Sequence, residues 1–198
     1  MQQCAFFDRD GVINQNGKGY TYKIEDFVFC DGIFELLAEL KKQGFLLLVI
    51  TNQSGIERGL YTQQDMEILH TFMQEQLTKR LGFGFERIYF CPHLPEKNCD
   101  CRKPQHGMIT QALSEFDIDL HTSLFIGDKI TDMQCAQNGG VQNKFLIDCT
   151  LPQHFIQSGK FEDTHFTNLH IVANLSQIRA IITQQNLRDE RSKNEIHL

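Results

Sequence analysis

The sequence lacks the features that would place the protein on nucleic acid, across a membrane or outside the cell. Its 19 basic and 25 acidic residues give a net charge of −6, the wrong sign for binding phosphate backbones through bulk charge. The longest apolar run, residues 44–51, is far shorter than the roughly 20 residues of a membrane-spanning helix. The chain does not begin with a basic segment followed by a long apolar stretch. We therefore expect a cytoplasmic protein without nucleic-acid or membrane partners.

Tryptophan is absent, proline is scarce and the number of cysteines is odd. With 4 prolines in 198 residues, no proline-rich linker separates two domains. The composition, 41% hydrophobic and 22% charged, is that of an ordinary globular domain and excludes extensive disorder. The length corresponds to one domain. We assign residues 1–183 to this domain and residues 184–198, which are almost all polar or charged, to a frayed C-terminal tail.

Short apolar segments alternate with segments of helical periodicity along most of the chain. This alternation is typical of βαβ units and predicts an α/β fold, a Rossmann-like parallel sheet with helices on both faces. About twenty residues separate Gly11 from Asp31, too few for a large cap domain over the sheet. The predicted strands are residues 5–7, 45–50, 87–90, 123–126 and 144–147.

Four helices are predicted from apolar residues spaced three and four positions apart. The first follows Asp31 as its N-terminal cap, the second runs from Thr62 towards Leu81, the third covers Met108 to Phe116, and the last follows residue 170. The residues expected to face inward are Ile33, Leu36, Leu37, Leu40, Met66, Leu69, Met73, Leu77, Ile109, Ala112, Leu113, Ile171, Leu175, Ile178 and Ile182.

Chemically reactive side chains follow four of the predicted strands. In open parallel sheets, ligands bind at the carboxyl ends of the strands, so we expect these residues to meet at one edge. Taken singly, an Asp-x-Asp loop or a Gly-Asp pair is usually a solvated turn, and Thr-Asn is usually a helix cap. Reactive residues directly after four strands are better explained by one site. They are Asp8, Asp10, Thr51, Asn52, Gln53, Ser54, Arg102, Lys103, Asp128 and Lys129.

Three carboxylates at one sheet edge need a positive partner. Asp8, Asp10 and Asp128 would repel one another unless a cation lay between them. A hard divalent cation with oxygen ligands, most simply Mg²⁺, meets that need. Lys103 adds a charge that suits a phosphate, with Thr51 as a hydrogen-bond donor and a carboxylate free to attack. The residues thus predict phosphoryl chemistry at a magnesium site.

Four motifs carry a resemblance to a known family. They are Asp8-Arg9-Asp10-Gly11, Thr51-Asn52, Lys103 and Gly127-Asp128, in that order along the chain. This set resembles the haloacid dehalogenase superfamily, in its phosphatase branch, over residues 4–141. The resemblance implies a phosphatase that forms a covalent aspartyl-phosphate intermediate.

Roles for individual residues follow from the resemblance. Asp8 is implied to be the nucleophile, and Asp10 the acid that protonates the leaving alcohol and then the base that activates water. The residues implied to hold Mg²⁺ are Asp8, Asp10 (through its backbone carbonyl) and Asp128. Those implied to hold phosphoryl oxygens are Thr51, Arg102 and Lys103. Asp132 either caps a helix or orients the site, and Lys129 is the alternative group that approaches it.

Three of the seven cysteines lie with a histidine in one short segment. Cys91-x-His93, five residues and Cys99-x-Cys101 supply four ligands, enough to close a tetrahedral zinc site. Disulfides are the alternative, but Cys99 and Cys101 are too close to pair comfortably, and the other cysteines are scattered singly, as reduced thiols usually are. With all positions filled, the zinc would be structural and would hold the loop before Arg102 and Lys103.

Two families of the superfamily carry such a zinc loop, the heptose bisphosphate 7-phosphatases and the histidinol-phosphate phosphatases. Gly19-Tyr20 with a Phe27–Phe29 strand, residues 51–59 and His106-Gly107-Met108 resemble the heptose family, whereas the histidinol enzymes are expected to carry an acid in place of Ser54. The five-residue spacing within the zinc loop instead resembles the histidinol family. We favour removal of the 7-phosphate of D-glycero-D-manno-heptose 1,7-bisphosphate, in bacterial surface-sugar synthesis, over hydrolysis of histidinol phosphate.

Residues outside the chemical motifs would contact the sugar. Tyr20 could instead anchor its loop, and Arg58 could be a solvated surface charge. The proposed substrate contacts are Gly19, Tyr20, Asn52, Gln53, Ser54, Arg58 and Lys129.

Two other functional classes fit the residues. One is a phosphate-binding regulatory protein without turnover, but such a protein would need neither the nucleophile Asp8 nor the acid Asp10. The other is a phosphotransferase that passes the aspartyl phosphate to an acceptor other than water. A monomer is the default expectation, since no large exposed apolar helix is evident.

Overall fold

The computed structural model describes residues 1–17, 19–154, 156–159 and 166–195. The strands are β1 (Cys4–Phe7), β2 (Leu46–Asn52), β3 (Arg87–Cys91), β4 (Leu124–Gly127), β5 (Asn143–Ile147), β6 (Ile156–Gly159) and β7 (Leu169–Val172). The α-helices are α1 (Ile33–Lys42), α2 (Gln63–Leu81), α3 (Gly107–Glu115), α4 (Ile130–Asn138) and α5 (Leu175–Glu195). Single 3-10 turns cover Ile24–Asp26 and Pro95–Lys97.

The strands form one sheet in the order β3-β2-β1-β4-β5-β7-β6, with β6 antiparallel to β7 and the other pairs parallel. Its central strands are apolar throughout because both faces of the sheet are covered. Within β1, Ala5 and Phe7 pack against α1, α2 and α5, while Cys4 and Phe6 pack against α3 and α4. The expected parallel sheet with helices on both faces is therefore confirmed.

The first two helices begin in different ways. α1 buries its predicted stripe, but Asp31 does not cap it, because Gly32 precedes the helix in a left-handed conformation with φ +83°. α2 begins as predicted after Thr62, whose hydroxyl accepts from the backbone N–H of Asp65 while the Asp65 carboxylate accepts from the backbone N–H of Thr62. Helix α1 therefore begins after a left-handed glycine, whereas helix α2 begins with a capping box.

Several expectations from periodicity are wrong. Leu113 is exposed on α3, where Met108 is buried with Ile109. Ile171 lies in β7, so the last helix begins only at Leu175. Periodicity also misses β6 and α4. The predicted Phe27–Phe29 strand is reduced to one isolated bridge between Phe29 and Asn14.

The last helix, α5, continues into the segment that the sequence predicts to be a polar tail. α5 extends to Glu195, past Gln184, and residues 196–198 lie outside the described part of the chain. Fraying of this tail stays a prediction. Among the described helices, none combines the length and the apolar character needed to cross a membrane.

Candidate active site

The loops that follow β1 to β4 surround a cavity of about 390 Å³. It brings together most of the residues that the sequence assigns to one sheet edge. The lining residues are Asp8, Asp10, Asn16, Gly19, Tyr20, Asn52, Ser54, Arg102, Lys103, Lys129, Thr131 and Asp132. Thr51 and Gln53 are buried outside this lining, and Arg58 is exposed outside it. Asp128 lines the neighbouring cavity, together with Gly11 and Asn16.

A buried lysine is the positive centre of the site. The Nζ atom of Lys103 lies 2.9 Å from Oδ1 of Asp8 and 2.7 Å from Oδ1 of Asp132, and it donates to the carbonyl of Ile50 at 2.8 Å. Although burial opposes the charge, the carboxylates of Asp132 and Asp8 raise the pKa of Lys103 above its usual range. The ammonium group is therefore charged wherever the protein is folded near neutral pH.

The carboxylates nevertheless outweigh the positive charge around them. Burial, and then the charge of Asp8, raise the pKa of Asp128. Burial likewise raises the pKa of Asp132 to about 6, although Lys103 opposes this shift. Lys129 reaches Asp128 with Nζ 3.3 Å from Oδ1, but it is more than half exposed. The cluster is left short of positive charge.

A metal ion with oxygen ligands fits this shortage. Asp8, Asp128 and Asp132 each offer one carboxylate oxygen, and these oxygens lie within 4.8 Å of one another. The Oδ1 atom of Asp128 is buried, and apart from its ion pair with the mostly exposed Lys129 it has no hydrogen-bond partner among the described residues. Gly11 makes room for this carboxylate, since a Cβ atom there would lie 2.2 Å from Oδ2 of Asp128. The arrangement suits a small hard cation.

Asp132 caps a helix and also contacts a residue of the cavity. Its Oδ2 accepts from the backbone N–H of Lys129 at 3.0 Å and so caps the start of α4. Its Oδ1 contacts Lys103 in the site. Lys129 also lines the cavity, so the two residues are not alternatives. Asn16 is a further neighbour that the sequence analysis missed, and it donates to Oδ2 of Asp128 at 2.8 Å.

The carboxylate of Asp10 is held by three side chains. Arg9 donates to both of its oxygens at 2.9 Å, Asn14 donates to Oδ1 at 3.0 Å, and Gln53 donates to Oδ2 at 3.1 Å. Gln53 also donates to the hydroxyl of Thr51 at 2.9 Å. The structure therefore places Gln53 and Thr51 behind Asp10.

The Cys and His residues of the 91–101 segment form one compact group. The Sγ atom of Cys99 lies 3.5 Å from that of Cys91 and 3.4 Å from that of Cys101, and the last is 3.4 Å from Nδ1 of His93. These distances approach the roughly 3.8 Å edge of a tetrahedron with 2.3 Å metal–sulfur bonds. All seven cysteines are free thiols. The group has the composition and spacing of a closed metal site.

Hydrogen bonds connect this segment to the cavity. Arg102 donates to the carbonyl of His93 at 3.0 Å. The side-chain amide of Asn52 exchanges two 3.1 Å hydrogen bonds with the backbone N–H and C=O of Lys103. Asn52, predicted as a substrate contact, therefore also fixes the backbone that carries Lys103.

Tyr20 and Ser54 meet at the rim of the cavity. Their hydroxyl oxygens are 3.3 Å apart, and the ring of Tyr20 lies 5.9 Å from that of Tyr61. Tyr20 remains 40% exposed and lines the cavity, so the structure is compatible with the predicted contact to a ligand.

Known proteins resemble this chain in sequence and in fold. The sequence model of a family described as polynucleotide kinase 3 phosphatase matches residues 3–176. D-glycero-beta-D-manno-heptose-1,7-bisphosphate 7-phosphatase of Helicobacter pylori (strain ATCC 700392 / 26695) is 49% identical over 164 residues, covering 81% of this chain and 94% of that protein. D-glycero-alpha-D-manno-heptose-1,7-bisphosphate 7-phosphatase of Campylobacter jejuni is 47% identical over 146 residues, covering 74% and 83%.

Among solved structures, D,D-heptose 1.7-bisphosphate phosphatase from B. bronchiseptica, complexed with magnesium and phosphate, has a TM-score of 0.77 and 26% sequence identity. The match covers 92% of this chain and 99% of that one.

Proposed function

Because the chain belongs to the heptose-1,7-bisphosphate 7-phosphatase family of the haloacid dehalogenase superfamily, we propose that it removes the 7-phosphate of D-glycero-D-manno-heptose 1,7-bisphosphate. One observation carries the proposal. The carboxylate of Asp8 contacts the buried ammonium group of Lys103 and shares a cavity with a second carboxylate, that of Asp10. This arrangement occurs in a chain that is 49% identical to a heptose bisphosphate phosphatase over 94% of that enzyme's length. The proposed pathway is bacterial surface-sugar synthesis.

The reaction proceeds in two displacements at phosphorus. A carboxylate oxygen of Asp8 attacks the phosphorus atom, the bond from phosphorus to the sugar oxygen breaks, and Asp10 gives its proton to that oxygen. Water then attacks the phosphorus atom of the aspartyl phosphate while Asp10 takes its proton. Inorganic phosphate leaves and the Asp8 carboxylate is restored. The ammonium group of Lys103 offsets the negative charge of the phosphoryl group during both displacements.

Mg²⁺ is the proposed catalytic cofactor. The residues that would hold it are Asp8 and Asp128, with the backbone carbonyl of Asp10 as the third expected ligand and Asp132 beside them. When bound, the cation neutralises charge on the phosphoryl oxygens. The shortage of positive charge around these carboxylates supports the proposal.

Zn²⁺ is the proposed structural cofactor, held by Cys91, His93, Cys99 and Cys101. We expect about one zinc ion per chain in purified protein and almost none in a Cys99→Ser variant, since three ligands bind zinc much less tightly than four. Loss of zinc should lower the melting temperature and phosphate release together, because the loop carries Arg102 and Lys103. Elemental analysis measures the zinc content, thermal denaturation measures the melting temperature, and a phosphate-release assay measures the activity.

The matched control for this zinc prediction is Cys149→Ser, which removes an exposed thiol outside the group. It should keep the zinc ion and the parental melting temperature. Equal zinc content in Cys99→Ser and the parent would contradict the proposed site. The unpaired cysteines suit the reducing cytoplasm, which is where we place the enzyme, and we propose that it works there as a monomer.

Phosphate release from two substrates tests the proposed function. Purified protein with Mg²⁺ is offered heptose 1,7-bisphosphate, as separate α and β anomers, and histidinol phosphate. We expect preference for the bisphosphate, with phosphorus NMR showing loss of the 7-phosphate and retention of the 1-phosphate. Preference for histidinol phosphate would overturn the substrate. Transfer to added alcohols would indicate a phosphotransferase, and binding without release a regulatory protein.

A further inference from the structure

A buried polar connection leads from helix α2 to the carboxylate of Asp10. The side chain of Arg9 is fully buried and donates to both Asp10 oxygens at 2.9 Å. The donating terminal nitrogen is Nη2, and the other one, Nη1, lies 3.2 Å from Nε2 of His70 on α2. Nη2 also donates to the carbonyl of Thr21 at 2.6 Å. The guanidinium group is therefore fixed from three directions.

His70 is suited to be a permanent acceptor. It is only 7% exposed, and burial, together with the charge of Arg9, lowers the pKa of His70 to about 3. The ring is thus neutral in the working pH range. A guanidinium group can only donate, so Nε2 accepts and the ring proton is assigned to Nδ1. Without this acceptor, a charged donor of Arg9 would be buried and unpaired, which is costly.

A second arm reaches Asp10 through Gln53. Gln53 donates to Oδ2 of Asp10 at 3.1 Å, and its own carbonyl oxygen accepts from the hydroxyl of Tyr61 at 2.6 Å. The ring of Tyr61 stacks on Tyr22 with 5.0 Å between centroids. Both arms end in buried side chains that cannot turn freely.

We propose that His70 is a positioning residue for the reaction, which through Arg9 holds the Asp10 carboxylate in the orientation that proton transfer requires. The inference rests on the proposed phosphatase function. Proton transfer needs the acid within hydrogen-bond reach of the leaving oxygen. His70 does not line the cavity and contacts Arg9, so its effect on the reaction passes through that residue.

This role predicts a dependence on the leaving group. A sugar alkoxide is a poor leaving group and needs the proton from Asp10, whereas p-nitrophenolate departs as a stable anion. The ratio kcat/KM covers the steps up to departure of the first leaving group. A misplaced Asp10 should therefore lower kcat/KM for the sugar phosphate and leave that for p-nitrophenyl phosphate nearly unchanged.

The test compares His70→Leu, which removes the acceptor, with His70→Gln, whose amide oxygen can replace Nε2. We expect His70→Leu to lower kcat/KM for heptose 1,7-bisphosphate roughly 10-fold to 100-fold, a part of the usual general-acid contribution. For p-nitrophenyl phosphate the loss should stay below about 3-fold, because that leaving group needs little general-acid assistance. His70→Gln should regain most of the activity towards the bisphosphate.

The matched control is Met73→Ala, one turn along α2 in the hydrophobic core. It should lower the melting temperature while affecting both substrates equally. Equal losses for both substrates in His70→Leu, no loss at all, or no recovery in His70→Gln would overturn the inference. Should His70→Leu fail to fold, His70→Asn takes its place, because the shorter side chain cannot put its amide oxygen at the position of Nε2; the same selective loss is expected, and its absence counts against the inference.

Failure of the proposed function looks different from failure of this inference. In the first case the parent chain leaves heptose bisphosphate intact. In the second, an active parent and its His70 variants show losses that do not depend on the leaving group.

Discussion

An Asp8→Asn variant is expected to lose phosphate release almost completely while remaining at least as stable as the parent chain. The amide cannot form the aspartyl phosphate, so we expect a loss of roughly 10⁴-fold or more, on the scale seen when a covalent nucleophile is removed. Phosphate release with Mg²⁺ and heptose 1,7-bisphosphate measures the first effect. Urea denaturation without added Mg²⁺ measures the second.

The expected stability follows from the crowding of carboxylates. The charge of Asp8 contributes to the raised pKa values of Asp128 and Asp132. An acid whose folded-state pKa lies above its unfolded value contributes stability at low pH that is lost as pH rises through the folded pKa, which is about 6 for Asp132. Removing Asp8 reduces this loss, while Lys103 retains its contact with Asp132.

The advantage of Asp8→Asn should therefore be larger at pH 8 than at pH 5. The control Asp31→Asn removes an exposed carboxylate that does not line the active-site cavity and should change neither activity nor stability. A destabilised Asp8→Asn protein would show that the ion pair between Asp8 and Lys103 stabilises the fold by more than the repulsion from Asp128 and Asp132 destabilises it. Residual turnover near the parental rate would exclude Asp8 as the nucleophile.

The positions of the first five strands along the chain, and the reactive residues that follow them, could be predicted because both are local sequence patterns. β1 to β5 are short apolar runs, and parallel strands bring the residues after them to one edge. β7 was missed because Ile171 happens to stand four residues before Leu175, a helical spacing. Only pairing with β5 and β6, which are contacts beyond the local sequence, makes that segment a strand.

The alternating direction of side chains at the end of β2 and just after it explains where the site expectations diverge. Successive side chains of an extended chain point to opposite sides. Asn52 and Ser54 line the cavity, whereas Thr51 and Gln53 are buried behind Asp10. The sequence places all of these residues at the site, but their alternation assigns them to two layers.

His70 carried no signal in the sequence. It follows Leu69 on the inward side of α2 and resembles an ordinary core position. Its partner Arg9 lies 61 residues away, so their contact depends on the packing of α2 against the loop after β1. Such a pair is visible only in three dimensions.

A Lys103→Met variant is expected to lose both stability and activity. Methionine fills similar space without charge, and it leaves Asp8 and Asp132 buried without their ammonium partner. Removing one member of a buried ion pair typically costs about 3–5 kcal/mol. We expect phosphate release to fall by roughly 10²–10³-fold, as when a charge-stabilising donor is removed. Urea denaturation and steady-state kinetics measure the two effects.

The stability deficit of Lys103→Met should shrink as the pH falls from 8 to 5. Without the ammonium group, the pKa of Asp132 rises further above its unfolded value, so the folded variant takes up protons that the unfolded chain does not. Lys144→Met is the matched control, because Lys144 is equally buried but donates to the carbonyls of Gln142 and Thr167.

The Lys144 control separates loss of a buried lysine from loss of a counter-charge. Burial lowers the pKa of Lys144 to about 8, so the parent chain gains stability from this residue as pH rises above 8. Lys144 does not line the cavity, so Lys144→Met should keep its activity, and its stability deficit should recover far less between pH 8 and 5 than that of Lys103→Met. The double variant Lys103→Met with Asp132→Asn should be more stable than Lys103→Met alone, because one unpaired carboxylate is gone. If the losses in the free energy of unfolding caused by the two substitutions were simply additive, the ion pair between Lys103 and Asp132 would not be the interaction that stabilises this site.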